Sequence, residues 1–354
     1  MDRSVKIGFV GCGAHATRSI YPCLRHAPVD LVAVCDLVEE RAEATARAFG
    51  GKRWYTDYRV MLENEELDAL FVVVGPDAHP PITIDAMKHG LHVFVEKPPC
   101  RTIAQAEEMV EVSKSTGRFL MVAFKKRFCP TYLRAREISS SEEFGSPTSM
   151  DARLGLWIDR DRLGPSPPTP SAALEDRFFM LLLDYFIHHL DLLRFFMGDV
   201  EELYYERIVK HERPTYAVSL RFETGAVGNL YMTALQSPHS FQERVEIVGE
   251  GANVVIDNVA RLIYYRRAVS PPEDSFVGAD QEAPLIWEPA FSLSQVRNKV
   301  LFIGGFAGEV RHFAESVLSG IAPSSDILDG LEAVRLVYAL CQGPGRSIRV
   351  EDIR

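Results

Sequence analysis

From residue 5 to about residue 123, short apolar runs alternate with stretches whose apolar residues recur every three or four positions. The runs at 5–10, 31–35, 69–74, 91–95 and 119–123 are continuously apolar, as expected of strands covered by helices on both faces. The intervening stretches predict helices at 14–26, 39–49, 79–89 and 102–115, with Gly90 and Gly117 placed as helix ends. Such alternation predicts a doubly wound parallel sheet.

After residue 123 the period changes. A helix at 131–139 leads into segments of period two at 148–157, 202–209, 217–222, 225–232, 244–248 and 253–256. Thr224-Gly225 and Gly249-Glu250-Gly251 mark turns between them, so a mostly antiparallel sheet is expected. Helices at 306–318 and 328–341 close the chain. Residues 164–171, with four prolines in eight positions, read as an irregular loop. The fold class is therefore α/β: a Rossmann domain over residues 1–123, then an α+β domain over 124–354 with an open, mostly antiparallel sheet.

Composition narrows the possible functions. A chain of 354 residues is long enough for two cores, and 47% hydrophobic with 25% charged residues is globular composition. The net charge of -10 argues against a nucleic-acid partner, and Lys125-Lys126-Arg127 is too short a basic cluster to reverse this. Six cysteines stand at 12, 23, 35, 100, 129 and 341 without a C-x-x-C pair or a nearby histidine cluster, so neither a metal site nor a disulfide framework is expected. No apolar signal region precedes the first strand, which points to a cytoplasmic address. The greasiest stretch, 178–197, carries Asp184, His188, His189, Asp191 and Arg194, too many ionisable groups for a membrane span.

Three groups of residues carry candidate chemistry. Gly11-Cys12-Gly13-Ala14-His15-Ala16 lies between a strand and a helix, where Gly11 permits a tight turn, Gly13 lets a pyrophosphate approach the backbone and Ala16 permits close packing. Asp36 ends the second strand at the spacing of a ribose-binding acid, and its charge would repel a 2'-phosphate, so NAD is favoured over NADP. A tight turn with a capping Asp is the rival reading. Glu96-Lys97-Pro98-Pro99 follows the strand at 91–95, so Lys97 falls either at the ligand crevice or on a solvated strand end. After the strand at 69–74 come Gly75, Pro76 and His79; by itself His79 reads as a helix-start or packing residue. Finally, Asp184, His188 and Asp191 stand at i, i+4 and i+7 on an apolar helix, either lining a ligand site or forming a mutually satisfied network. His189 points away from His188 and is read as packing or support.

In their order these elements resemble the glucose-fructose oxidoreductase and inositol dehydrogenase family, Gfo/Idh/MocA. The resemblance runs through the glycine loop, Val34-Cys35-Asp36, the turn from Pro76 to His79, the E-K-P element at Glu96-Lys97-Pro98 and the D-x-x-x-H-x-x-D element at Asp184, His188 and Asp191. Arg221-Phe222-Glu223-Thr224-Gly225-Ala226 and Val245-Glu246-Ile247-Val248-Gly249 are similar to its C-terminal sheet. It implies NAD as cofactor, held by Gly11, Gly13, Ala14, His15, Asp36, Gly75, Pro76, His79, Glu96 and Lys97. It further implies oxidation of a secondary alcohol on a sugar, inositol or related polyol, with His188 as general base, Lys97 stabilising the alkoxide and Asp184 orienting His188 or a neighbouring hydroxyl. A homodimer or homotetramer through the open sheet face is implied as well.

Some positions depart from the family pattern. Phe178-Phe179-Met180-Leu181 stand where a Gly-Gly turn is common, and Phe186 replaces a glycine, so a bulkier substrate pocket is expected. Lys125 stands where an asparagine is common and is a candidate substrate-binding residue for a carboxylate or phosphate; for Lys126 and Arg127 a solvated basic turn is the alternative. Two rival functions share the resemblance: an NAD-dependent sensor without turnover, and a glycosidase that uses NAD transiently.

Overall fold

The computed structural model describes residues 4–159, 176–267, 284–289 and 299–353. The chain divides into two compact units, Met1–Phe128 with Gly305–Val334, and Cys129–Gly304 with Arg335–Arg354.

In the first unit, β1 (Val5–Val10), β2 (Val29–Cys35), β3 (Arg53–Tyr55), β4 (Ala69–Val72), β5 (His92–Val95) and β6 (Leu120–Val122) form a six-stranded sheet in the order β3-β2-β1-β4-β5-β6. Every pair is parallel. After β3 the chain crosses to the other side of β1, creating the switch point at which such sheets bind ligands. Continuous apolar runs make these strands: Ile7, Phe9, Val34, Phe71 and Phe94 are wholly buried. The Phe71 ring stacks on those of Phe9 and Phe94 at 5.6 and 4.7 Å. Helices Glu39–Phe49, Tyr58–Asn64, His79–Lys88 and Ile103–Thr116 connect the strands. The last begins with a capping box, in which Thr102 Oγ1 accepts from Gln105 N at 3.1 Å while Gln105 Oε1 accepts from Thr102 N.

Two local features differ from expectation. Residues 14–26 do not form one α-helix but a π turn at Ala16–Ile20 followed by a 3-10 turn at Tyr21–His26. Pro22 lacks the N–H that a continuous α-helix needs there. In addition, helix Phe306–Ser319 and the residues after it belong to this unit, although they follow the second unit's sheet in sequence. Ser325 lies beside β6, where its Oγ donates to Val122 O at 2.6 Å and its carbonyl accepts from Val122 N at 3.0 Å.

The second unit contains β7 (Ser149–Gly155), β8 (Val200–Lys210), β9 (Arg213–Phe222), β10 (Val227–Thr233), β11 (Gln242–Val248), β12 (Asn253–Asp257), β13 (Arg261–Tyr265), β14 (Leu285–Trp287) and β15 (Ser347–Arg349). Their order is β14-β13-β12-β11-β7-β10-β9-β8-β15, antiparallel except between β7 and β10. The period of two works as expected: Tyr216, Val218, Leu220 and Phe222 face the core, while Ala217, Ser219 and Arg221 are exposed. Helices Pro130–Ser139 and Ile187–Met197 pack on the sheet. Its solvent side carries polar ladders, such as Asn229 Nδ2 donating to Asp151 Oδ1 at 3.1 Å and Arg153 over the Tyr231 ring at 4.7 Å. The proline-rich stretch 164–171 lies outside the described residues. Among the described residues no helix is long and apolar enough to cross a membrane.

Candidate active site

At the end of β1, Gly11 adopts φ +108°, and a Cβ there would lie 2.0 Å from the Val73 carbonyl oxygen. Only glycine fits this turn. Gly13 differs, because a Cβ on it meets nothing within 4 Å; the same is true of Gly75 after β4. Their bareness is not demanded by neighbouring protein atoms and suits a ligand that needs close backbone approach. Gly13, Ala14 and His15 are exposed. Asp36, following β2, secures the turn: its Oδ2 accepts from Cys12 N at 2.8 Å and its Oδ1 from Val38 N at 3.0 Å. The carboxylate stands beside the glycine turn with lone pairs remaining for ribose hydroxyls. These residues fit a dinucleotide.

The turn after β5 is tied to this surface. His15 Nε2 lies 2.8 Å from Glu96 Oε1, and Glu96 Oε2 accepts from Lys97 N at 2.9 Å. Glu96 is buried at 5% exposure and Lys97 half-buried, so the glycine turn and the lysine turn share one carboxylate. His79 braces them from below. It is fully buried, its Nδ1 donates to Pro98 O at 2.9 Å, and its Nε2 accepts from Val74 N at 3.4 Å. Burial pushes its imidazole down to about 4, so the ring is neutral. Because both nitrogens hold backbone, His79 supports the turns rather than contacting a dinucleotide.

The basic triplet separates into different environments. Lys125 is half-buried, with its Nζ 4.1 Å from the centroid of the Phe306 ring. Arg127 is buried rather than part of a solvated turn: it forms a two-pronged pair with Asp329, each contact 2.9 Å, and donates to Ser324 O at 2.6 Å. Sequence reasoning passed over Glu309 on helix Phe306–Ser319. It is fully buried, and neither carboxyl oxygen has a hydrogen-bond partner among the described residues. Burial, then nearby Glu96, pushes its carboxyl well up, while Lys125 and Lys97 act against this. Its position in a periodic helix gave no sign of that setting.

In the second unit, Asp184 falls in a π segment, Leu182–Phe186, between the short helix Phe179–Leu181 and helix Ile187–Met197. The expected regular α-helical stripe is therefore interrupted just before His188. His188 is 7% exposed and Asp191 fully buried, on a helix that is buried almost all round. His189 has a partner that its helix position alone did not reveal. Its Nε2 lies 3.2 Å from Glu243 Oε2, and Glu243 Oε1 accepts from Tyr132 OH at 2.6 Å, all within the core. Among the described residues no group of three or more His, Cys, Asp and Glu side chains could hold a metal ion. The six cysteines are free.

Known proteins share this arrangement. Residues 5–124 match the GFO/IDH/MocA oxidoreductase family with its NAD-binding Rossmann fold, and residues 132–255 match the GFO/IDH/MocA C-terminal domain. An inositol 2-dehydrogenase of Acidothermus cellulolyticus is 30% identical over 72% of this chain and 73% of its own. A D-apiose dehydrogenase of Paraburkholderia graminis is 29% identical over 98% of this chain and 90% of its own. The solved levoglucosan dehydrogenase, in complex with NADH and L-sorbose, superposes with a TM-score of 0.80 at 18% identity, covering 98% of this chain and 99% of its own. With its order of parallel strands, glycine turn and nine-stranded second sheet, the chain belongs to the GFO/IDH/MocA oxidoreductase family.

Proposed function

We propose that the protein is an NAD-dependent dehydrogenase that oxidises a secondary alcohol of a sugar, inositol or related polyol. The observation carrying this reading is the hydrogen-bonded chain from His15 through Glu96 to Lys97, which joins the glycine turn to a half-buried lysine at the strand ends. Relatives named as inositol and D-apiose dehydrogenases support the substrate class.

When bound, NAD accepts the hydride from the carbinol carbon. Gly11, Gly13, Ala14, His15, Gly75 and Pro76 form the backbone surface for it, Asp36 takes the ribose hydroxyls, and Glu96 fixes the approach to Lys97. The Lys97 ammonium holds the substrate oxygen and stabilises the charge that develops as the O–H bond breaks. The His188 imidazole receives that proton, and Asp184 orients His188 or a neighbouring substrate hydroxyl. One alcohol thus loses a hydride and a proton and becomes a ketone. Lys125 supplies a cation that an acidic substituent of the substrate can meet. Assembly as a homodimer or homotetramer through the open sheet face, in the cytoplasm, completes the reading.

The test is a panel of inositols, sugars and sugar acids with NAD and NADP separately, followed by reduced-cofactor absorbance. Net NADH formation with a free polyol or sugar, and a preference for NAD, are expected. Cleavage of an aryl glycoside without net NADH would select a glycosidase instead. Dinucleotide binding with no turnover across the panel would select a sensor.

A further inference from the structure

Glu309 presents a physical problem that the proposed chemistry does not use. A carboxylate with no exposed surface and no hydrogen bond to either oxygen is among the costliest arrangements a protein interior can hold, whereas the neutral acid is tolerated. The charged groups bearing on it are Glu96, Lys125 and Lys97. From the Tyr21–His26 turn packed against the same helix comes Cys23, whose thiol burial pushes up to about 12, with Glu309 adding to the effect. Arg311 and His312 on Glu309's own helix are engaged elsewhere: Arg311 Nε donates to His26 O at 3.0 Å, and His312 Nε2 accepts from Ser324 N at 3.0 Å.

The two carboxyl groups are not equivalent. Glu96 is paired with His15 and accepts the Lys97 amide, hydrogen bonds that suit an ionised group. Glu309 has neither, so the shared proton belongs on Glu309.

We propose that Glu309 is a positioning residue for Lys97: as a neutral buried carboxyl group, it leaves the positive charges of Lys97 and Lys125 opposed by Glu96 alone. Two cations against one anion leave an excess positive charge where, on the reading of this protein as a dehydrogenase, an alkoxide develops. Ionisation of Glu309 at alkaline pH would cancel that excess, so the residue sets an upper pH limit on the reaction.

Two measurements test this. Carbon-13 NMR of glutamate carboxyl groups, with Glu309 assigned by the resonance lost in Glu309→Gln, reads its protonation without any substrate. A neutral acid at neutral pH that ionises only under alkaline conditions is expected; a carboxylate at neutral pH overturns the proposal. The pH profile of kcat then reads the consequence. Glu309→Gln, and Glu309→Met as a second neutral variant should the first fold poorly, are expected within about threefold of the wild type at neutral pH but without its alkaline decline. Profiles that coincide with the wild type over the whole range overturn the positioning role, as does a large loss at neutral pH in both folded variants. If no substrate turns over, the dehydrogenase reading fails separately, and acylation of Lys97 by acetic anhydride against pH takes the place of kcat. The curves of the wild type and of the Glu309→Gln variant should then separate at alkaline pH, and identical curves would refute the role.

Discussion

In the first unit, Asp36, Glu96 and His79 are held by backbone groups of the turns that follow β1, β2, β4 and β5, whereas in the second unit His189, Glu243 and Tyr132 hold one another as side chains from three separate elements. The difference bears on how each region tolerates change. A polar group fixed by backbone depends on the turn, which survives most side-chain substitutions nearby. A buried cluster of side chains depends on every member, because removing one leaves the others desolvated.

The contrast is tested most forcefully at Glu243. Glu243→Ala removes the acceptor shared by Tyr132 and His189 in a dry core, and a loss of about 3–5 kcal/mol is expected in chemical denaturation. A loss below about 1 kcal/mol would show that the cluster is not held as described.

The glycine turn separates two neighbouring residues more finely. Gly11→Ala must relieve a Cβ 2.0 Å from Val73 O at φ +108°, so a destabilisation of about 3 kcal/mol is expected together with lost dinucleotide binding. Gly13→Ala meets no protein atom within 4 Å, so its melting temperature should be unchanged while its affinity for NAD drops by about tenfold. Equal thermal effects in the two variants would contradict the separate roles of packing and ligand approach.

The smallest effect concerns His79. Its ring is held neutral, with the imidazole lowered from 6.5 to about 4, so the unfolded chain binds a proton in that window that the folded chain does not. Stability therefore decreases as pH falls from about 6.5 towards 4, by about 2–3 kcal/mol in all, and is restored as pH rises again. His79→Gln should flatten that slope in denaturation curves taken at several pH values. An unchanged slope would place the titrating group elsewhere.

Much of this architecture could be read directly from the residues. The continuous apolar runs of β1, β4 and β5 and the alternation in β9 follow from burial on both faces or on one, and the strand ends carrying Gly11, Asp36 and Lys97 fall where the pattern placed them. What escaped was governed by distant partners or by length. β3 has three residues, too few to show a period. Glu309 and Glu243 lie in ordinary helix and strand positions, and their settings arise from residues such as Lys97 and His189, far away in sequence. Arg127 looks solvated until Asp329 is seen beside it. The π segment at Leu182–Phe186 was hidden because its composition is that of any apolar helix. For the same reason, the return of Gly305–Val334 to the first unit has no local signature.

On the proposed reading, Lys97 and His188 act on the reacting hydroxyl while the glycine turn and Asp36 bind the dinucleotide, so chemistry and cofactor affinity should come apart on mutation. The decisive experiment compares NADH affinity, by calorimetric titration, with steady-state turnover in the wild type, Lys97→Ala and His188→Ala. Affinities within about threefold of one another are expected, with turnover lower by about 10²-fold or more in both variants. Unchanged turnover in both, or a loss fully explained by weakened NADH binding, would contradict that division of labour.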